Sequence, residues 1–140
     1  MLICILSPIY PTHYNPHLGI FVHEQAKYLA KKGHDVYVIT LGNPEDKYQE
    51  IKDGVKVYRI KIKNFLFFKN LFFALSMIRN LILLNKKYNF DIIHSHFIGP
   101  LTALIGLTSK LIKKSFIITA HGIGLLSDSG FKKILIKFYL

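Results

Sequence analysis

Short apolar runs that alternate with amphipathic stretches restrict the fold of this chain more than any other feature. Four runs are almost wholly apolar, which is typical of strands buried on both faces of a sheet. They cover residues 2–6, 35–40, 90–94 and 115–120. A fifth run, residues 55–62, alternates apolar with basic side chains, which predicts one solvated face and a place at or near the sheet edge. Strands that alternate with helices predict an α/β, Rossmann-like fold with a doubly wound, mostly parallel sheet and helices on both faces.

Four amphipathic helices are predicted, at residues 20–32, 65–84, 100–112 and 131–140. The second is long enough to cross a bilayer, but Lys69 and Arg79 interrupt its apolar run, and charge inside a membrane is costly. A helix packed on the sheet is therefore the leading interpretation. A helix lying at the lipid headgroups and a membrane span are the alternatives.

The topology of such a sheet decides which residues meet at its functional edge. With right-handed crossovers, the predicted strand order is third, second, first, fourth, fifth. The first and fourth strands then lie side by side where the order reverses, and ligands bind beyond the carboxyl ends of strands at that point. His94 and His96 end the fourth strand on one side of the sheet, with Ser95 on the other. His121 ends the next strand and Gly19 opens the first helix, so these residues are expected at one edge.

Three histidines at neighbouring strand ends leave several chemistries open. Imidazoles could bind hydroxyls or phosphate oxygens, transfer a proton near neutral pH, or satisfy nearby backbone groups. A metal site is disfavoured because Asp91 lies at the start of its strand, roughly 10 Å from His94. His13 and His17 are near enough in the first loop to join the site. The glycine motifs of dinucleotide and P-loop sites are absent, and no serine has the setting of a hydrolase nucleophile.

Positive charge is concentrated in the second part of the chain. The formal net charge is +11, and residues 54–140 contain 14 Lys and Arg but only 2 Asp and Glu. This excess fits phosphorylated ligands, anionic lipid headgroups or a generally lysine-rich composition. No nucleic-acid-binding motif is present, so we expect no nucleic acid partner. Cys4, in the first apolar run, is expected to be a small buried hydrophobe.

Three motifs, in their order along the chain, resemble those of glycosyltransferase family 4. Residues 19–36, GIFVHEQAKYLAKKGHDV, are similar to the first helix of that family and its continuation. Residues 91–96, DIIHSH, resemble its D-(I/V)-(I/V)-H-x-H motif, and residues 119–122, TAHG, resemble its T-x-H-(G/D) motif. The likeness runs along nearly the whole chain.

The resemblance implies the amino-terminal half of a GT-B enzyme, in which two Rossmann-like domains face each other across a cleft. Such enzymes transfer a sugar from a nucleotide-sugar to an acceptor, retain the anomeric configuration, and require no metal or other cofactor. By this resemblance His121 is the catalytic residue, beside the reacting sugar. Gly19, His94, His96 and Gly122 are expected to bind the acceptor or the donor phosphates.

The resemblance also implies parts that residues 1–140 do not contain. We expect one acceptor-side domain that stops before its last elements and before the donor-binding domain, a second Rossmann-like domain that would be its partner. In the family that second half carries two glutamates eight positions apart, a spacing that Glu24, Glu45 and Glu50 do not have. Fixed charge that stabilises a leaving group is often the largest catalytic contribution. We therefore expect negligible transferase activity from these residues alone.

The leading hypothesis is sugar transfer in the synthesis of cell-surface polysaccharide, glycolipid or glycoconjugate, with a sugar, lipid-linked or anionic acceptor. The expected location is the cytoplasm, with peripheral contact to anionic membrane on the inner face of the plasma membrane. The alternatives are a non-catalytic Rossmann-like interaction module or orphan fragment and, less favoured, a histidine-dependent metallohydrolase.

Overall fold

A computed structural model describes residues 1–61 and 69–121 of the protein, without the side chains of residues 69 and 70. In chain order its elements are β1 (Leu2–Ser7), α1 (Ile20–Lys31), β2 (Asp35–Gly42), β3 (Gln49–Lys52), β4 (Val55–Lys61), α2 (Lys69–Tyr88), β5 (Ile92–His96), α3 (Pro100–Leu111) and β6 (Ser115–Thr119). The predicted helix at residues 131–140 and the candidate site residue Gly122 lie outside the described residues.

The strands form one sheet in the order β3-β4-β2-β1-β5-β6. All neighbouring pairs are parallel except β3 and β4. The five predicted strands therefore have the predicted order, with β1 beside β5 where the order reverses. The antiparallel strand β3 is an addition, because the sequence predicts a polar surface loop over residues 41–50 and an Asp-Gly turn over residues 52–55, but no strand between them. Asp53 and Gly54 both have positive φ, as in the tight turns that join hairpin strands, and this turn folds β3 back onto β4.

Helices cover both faces of the sheet, which confirms the doubly wound architecture. On one face, Val22 and Ala26 of α1 pack on alternate residues of β1, β2 and β4. On the other face, Met77 and Leu81 of α2 and Ile105 of α3 pack on the intervening residues. Cys4 is fully buried in this second core, as predicted, and burial raises the pKa of its thiol.

The solvated face predicted for the strand with alternating basic residues is wrong. Tyr58 and Ile60 of β4 are buried in the core that contains α2, and on the opposite face Arg59 is only 2% exposed. Arg59 Nη2 donates a hydrogen bond to the carbonyl of Pro11 (2.7 Å) and another to the carboxylate of Glu50. The loop after β1 and strand β3 therefore cover its guanidinium. β4 lies next to the sheet edge, as predicted, but both of its faces are covered.

Helix α2 packs on the sheet, which confirms the leading interpretation of that segment. It continues to Tyr88 rather than ending at Leu84, and residues 65–68 lie outside the described part. Asn89, with a φ of +56°, follows the helix end and suits the left-handed conformation that often terminates helices. Over the described ranges, no helix has the length and apolarity needed to cross a bilayer.

Candidate functional site

A row of polar side chains crosses the carboxyl end of the sheet on the face that α1 covers. The strand register pairs Arg59 with Thr40, Thr40 with Ser7, and His96 with Thr119. Paired residues on neighbouring strands share a face. Three buried atoms in this row have no hydrogen-bond partner among the described residues: Thr40 Oγ1, Arg59 Nη1 and His96 Nε2. Unsatisfied polar atoms thus occur at the edge where ligands bind in open α/β sheets.

The three predicted histidines meet at one end of this row and form a group that we call the imidazole cluster: His94, His96 and His121. The ring centroids of His94 and His96 are 4.5 Å apart, and His96 Nδ1 lies 2.8 Å from His121 Nε2. His94 Nε2 lies 2.7 Å from the hydroxyl of Thr119. The predicted convergence is confirmed, because the parallel pairing of β5 with β6 aligns the two strand ends.

Two phenylalanines that the sequence analysis did not single out pack around His121. The ring of Phe21, in the first turn of α1, lies 4.3 Å from the His121 ring, and the ring of Phe97 lies 5.2 Å from it. The two phenyl rings are 6.1 Å apart. Phe21 is 42% exposed, so a burial pattern could not have identified it. It connects the amino end of α1 with the imidazole cluster.

Phe97 has a backbone conformation that non-glycine residues rarely adopt, with a φ of +81°. Its N–H donates to the carbonyl of Thr119 (2.9 Å), and its own carbonyl accepts from the hydroxyl of Thr102 (2.8 Å). Such strain persists only where the surroundings hold it, and it occurs often at functional sites. Here β6 and α3 hold the loop after β5, and Pro100 opens α3 as predicted.

His94 and His96 are uncharged at neutral pH. Burial, aided by the neighbouring His94 and His121, lowers the pKa of His96 to about 3. Burial also lowers the pKa of His94, with a smaller contribution from His121. A neutral imidazole has one donor and one acceptor nitrogen. These two rings are therefore better suited to hydrogen-bonding hydroxyl groups than to attracting a phosphate by charge.

Gly19 caps the amino end of α1 in a conformation that favours glycine. Its φ is +64°, and a Cβ added there would lie 2.7 Å from the carbonyl oxygen of Ile9. The loop after β1 therefore packs directly on the start of the helix. Because Phe21 follows two residues later and touches His121, the amino end of α1 reaches the imidazole cluster, as predicted.

A second histidine network holds the loop after β1. The helical pattern of α1 predicts an outward His23, but this residue is only 2% exposed. Its Nδ1 lies 2.7 Å from the hydroxyl of Tyr10, and its Nε2 lies 2.8 Å from Asp53 Oδ2. The hydrogen bond from His23 is the main reason why the pKa of Asp53 is lowered. Tyr10, His23 and Asp53 together tie the loop to α1 and to the β3–β4 turn.

The other candidate residues form no hydrogen bond or ring contact with the imidazole cluster in the described part of the chain. His13 and His17 are exposed, and His13 lines a separate concavity of about 500 Å³ together with Glu45 and Glu50. Asp91 accepts a hydrogen bond from the N–H of Leu2 (2.7 Å) at the start of its strand, as its position predicts. Within residues 1–61 and 69–121, no group of three His, Cys, Asp or Glu residues is arranged to hold a metal ion.

A cavity of about 170 Å³ opens at the same sheet edge, between the ends of β1 and β5 and the amino end of α3. Ser7, Ser95 and Thr102 contribute to its lining, with Met77 and Ile105 at its apolar side. Ser95 follows Ile93, which is buried in the core beneath α2, by two residues, so it lies on the face opposite His94, as strand alternation predicts. Typical ligand pockets measure about 300–1,000 Å³, so this cavity has room for only part of a ligand.

Comparison with known sequences assigns this arrangement to a family. The sequence profile of Glycosyltransferase Family 4 matches residues 18–140. The chain belongs to glycosyltransferase family 4. The matched range includes Gly19 and all three histidines of the imidazole cluster. No curated protein matches this family 4 chain significantly.

Solved structures of glycosyltransferases share the fold of the family 4 chain. It is similar to sucrose-phosphate synthase from Thermosynechococcus elongatus, with a TM-score of 0.69 and 16% identity over 99% of this chain and 40% of that chain. It is also similar to MurG from Acinetobacter baumannii, with a TM-score of 0.57 and 13% identity over 97% of this chain and 38% of that chain. The family 4 chain thus spans about two fifths of these relatives, and its Rossmann-like fold matches that of GT-B glycosyltransferases.

Proposed function

We propose that this chain is the acceptor-side half of a retaining glycosyltransferase that moves a sugar from a nucleotide-sugar to an acceptor. The pathway in this proposal is the synthesis of cell-surface polysaccharide, glycolipid or glycoconjugate. The observation that carries the proposal is the meeting of the imidazole cluster with the amino end of α1 at the carboxyl edge of the sheet. Membership of glycosyltransferase family 4 supports the reaction class.

Neutral imidazoles suit the recognition of an acceptor hydroxyl. His96 Nε2 is buried without a partner among the described residues, and His96 contributes to the lining of the cavity at this edge; a ligand hydroxyl that displaces the covering groups would satisfy this nitrogen. In this proposal His94 and His96 position the acceptor, while the half-buried His121 touches the reacting sugar. Transfer breaks the bond from the sugar to the donor phosphate and forms one to the acceptor oxygen. The hydroxyl proton released in that step is proposed to pass to His121, because the pKa of His96 is too low for that ring to act as a base at neutral pH.

The amino end of α1 is the proposed contact for the donor diphosphate. Backbone N–H groups and the helix dipole make such an end favourable for anions. The first turn of α1 contains no acidic residue that would repel a phosphate. Gly19 would place the backbone close to the phosphates, and Gly122, which lies outside the described residues, is proposed to do the same after β6.

The departing diphosphate is proposed to be neutralised by a second Rossmann-like domain. The purified 140-residue chain is therefore expected to turn over nucleotide-sugars no faster than buffer, because stabilisation of the leaving group is missing. Release of UDP or GDP, measured by a coupled assay, checks this expectation. Turnover by the chain alone at about 1 s⁻¹ or faster, the range of ordinary enzymes, would contradict its assignment as a half-enzyme.

Ligand titration followed by NMR tests the proposed site. The probes are UDP-glucose, GDP-mannose, inorganic pyrophosphate and a short isoprenyl phosphate. We expect the ring C–H signals of the imidazole cluster and the amide signal of Phe21 to shift, because these groups line the proposed site. The exposed His13 serves as an internal control and its ring signals should stay fixed. The site is wrong if no probe moves the cluster signals at millimolar concentration, or if only the control signals move.

The acceptor is proposed to be lipid-linked or anionic, and the protein to act in the cytoplasm, peripherally at the inner face of the plasma membrane. The supporting observation is the charge of the second part of the chain, since residues 54–140 contain 14 basic residues and only 2 acidic ones. Positive potential raises the local concentration of anionic ligands and attracts anionic lipid surfaces.

A further inference from the structure

Helices α2 and α3 expose leucines on the faces that point away from the sheet. We call this set the leucine surface; it consists of Leu71, Leu75, Leu83, Leu104, Leu107 and Leu111. These side chains are 43 to 73% exposed. On α2 they lie opposite Met77 and Leu81, which pack on the sheet, and on α3 they lie opposite Ile105. Each helix therefore has a second apolar face, which is exposed, in addition to the apolar face that packs in the core.

The two exposed faces belong to one side of the molecule. α2 and α3 cover the same face of the sheet and pack against each other, so their outward faces lie side by side. Scattered single apolar residues on a surface need no explanation, but contiguous apolar patches rimmed by polar groups mark interaction sites. The six exposed leucines therefore place two apolar rows on one side of the molecule.

The charges around the leucine surface indicate what covers it. From residue 69 to residue 121 there are seven basic residues and one acidic residue, Asp91. The Asp91 carboxylate is bonded to the N–H of Leu2 at the start of β5. Arg79 lies between Leu75 and Leu83 on α2, and Lys110 lies beside Leu111 on α3; both are exposed. A second copy of this chain would bring the same positive charge to the contact, whereas an anionic bilayer complements both the leucines and the basic residues.

We propose that the leucine surface docks on an anionic lipid bilayer. The leucines enter the boundary between headgroups and acyl chains, and Arg79 and Lys110 pair with lipid phosphates. The inference deepens the peripheral placement and rests on the proposed function for the identity of the membrane, but docking itself requires no sugar transfer. It adds α3 to the contact, since the sequence analysis considers lipid contact only for the segment that contains α2.

Vesicle co-sedimentation tests the docking. The vesicles contain phosphatidylglycerol and phosphatidylcholine in equal amounts, or phosphatidylcholine alone. We expect the chain to sediment with the anionic vesicles and to stay in solution with the neutral ones. The double variant Leu107→Glu with Leu111→Glu should bind at least tenfold more weakly, because it puts two carboxylates into the contact. Arg79→Gln and Lys110→Gln should each weaken binding about fivefold, in line with the attraction of single basic residues to anionic surfaces.

A matched control carries the same change of charge on the other side of the molecule. Gln25 and Tyr28 are both exposed on α1, which covers the opposite face of the sheet, and the double variant Gln25→Glu with Tyr28→Glu should bind within twofold of the unchanged chain. Circular dichroism and thermal unfolding establish that both double variants fold. Equal loss of binding in the two double variants would overturn the proposal, as would equal sedimentation of the unchanged chain with anionic and neutral vesicles.

Two further outcomes separate this inference from its rivals. If light scattering shows a dimer that the Leu107→Glu with Leu111→Glu variant converts to a monomer, without loss of vesicle binding, the leucine surface is an interface between copies and the proposal is wrong. The NMR titration of the imidazole cluster is measured without vesicles. If the chain fails to bind vesicles but the ligands still shift the cluster signals, the docking proposal is wrong and the proposed function stands. If the chain binds anionic vesicles but no ligand shifts the cluster signals, the proposed function is wrong and the docking proposal stands.

Discussion

Replacing Arg59 with methionine is expected to lower the free energy of unfolding by about 3 kcal/mol. The guanidinium is buried, and it bonds to the carbonyl of Pro11 and the carboxylate of Glu50. Methionine keeps much of the side-chain volume but leaves a buried carbonyl and a partly buried carboxylate without a partner, which costs more than the lost bonds alone. Urea denaturation, with the midpoint and slope fitted together, measures the change.

Two variants show whether burial or charge is responsible. Lys61→Met removes a basic side chain from the same strand, but Lys61 is exposed and, among the described residues, its side chain bonds only to the carbonyl of Pro44. Its effect should stay within about 0.5 kcal/mol. Adding Glu50→Gln to Arg59→Met should recover part of the loss, because no unpaired charge remains. A cost below about 1 kcal/mol for Arg59→Met would show that the guanidinium does not tie the first loop to the sheet.

The chain is expected to lose stability between pH 8 and pH 5 because its imidazoles are buried in the neutral form. The pKa of His96 is about 3 in the folded protein, whereas an unfolded histidine has a pKa of about 6.5. The unfolded chain therefore binds more protons in this window, so stability is fully present above about pH 6.5 and falls as the pH drops below it. His96 alone should cost about 2 kcal/mol at pH 5, and His94, whose pKa is also lowered, should add to it.

Urea midpoints at pH 8, 6.5 and 5 measure this dependence. His96→Gln should flatten it, because glutamine keeps a polar side chain but does not titrate. His17→Gln, at an exposed histidine of the first loop, should leave it unchanged. Most carboxylates stay ionised at pH 5, so they do not imitate the effect. A free energy of unfolding that is constant from pH 8 to pH 5 would contradict the prediction, because it would mean that protonation of the imidazole cluster does not destabilise the folded state.

Much of the architecture follows from patterns along the chain. The apolar runs of β1, β2, β5 and β6 and the helical stripes of α1 and α3 predict the elements, and right-handed crossovers then predict the strand order. The meeting of His94, His96 and His121 follows from that order, because parallel strands end at the same edge of a sheet. The sequence analysis misses β3, since four residues with alternating exposure differ little from a polar loop until the turn at Asp53 and Gly54 pairs them with β4.

The rest of the candidate site depends on contacts between remote segments. The network of Tyr10, His23 and Asp53 joins a loop, a helix and a turn, and the helical pattern of α1 alone predicts an outward histidine. The positive φ of Phe97 arises because β6 bonds its N–H and α3 bonds its carbonyl. Thr102 lies only five residues further along the chain, but Thr119 belongs to β6, so the role of Phe97 beside His121 appears only in the folded chain.

The sequence by itself determined the fold class, the order of the strands and the edge at which three histidines gather, because side-chain periodicity and crossover handedness act locally and almost without exception. The tertiary structure alone decided that Arg59 and His23 are buried and that His94 and His96 are neutral. Burial is a property of what covers a residue, and the covering carbonyl of Pro11 lies far from Arg59 in the chain, as Asp53 lies far from His23. Desolvation, and with it the protonation state of the imidazoles, follows only once those distant segments are in place.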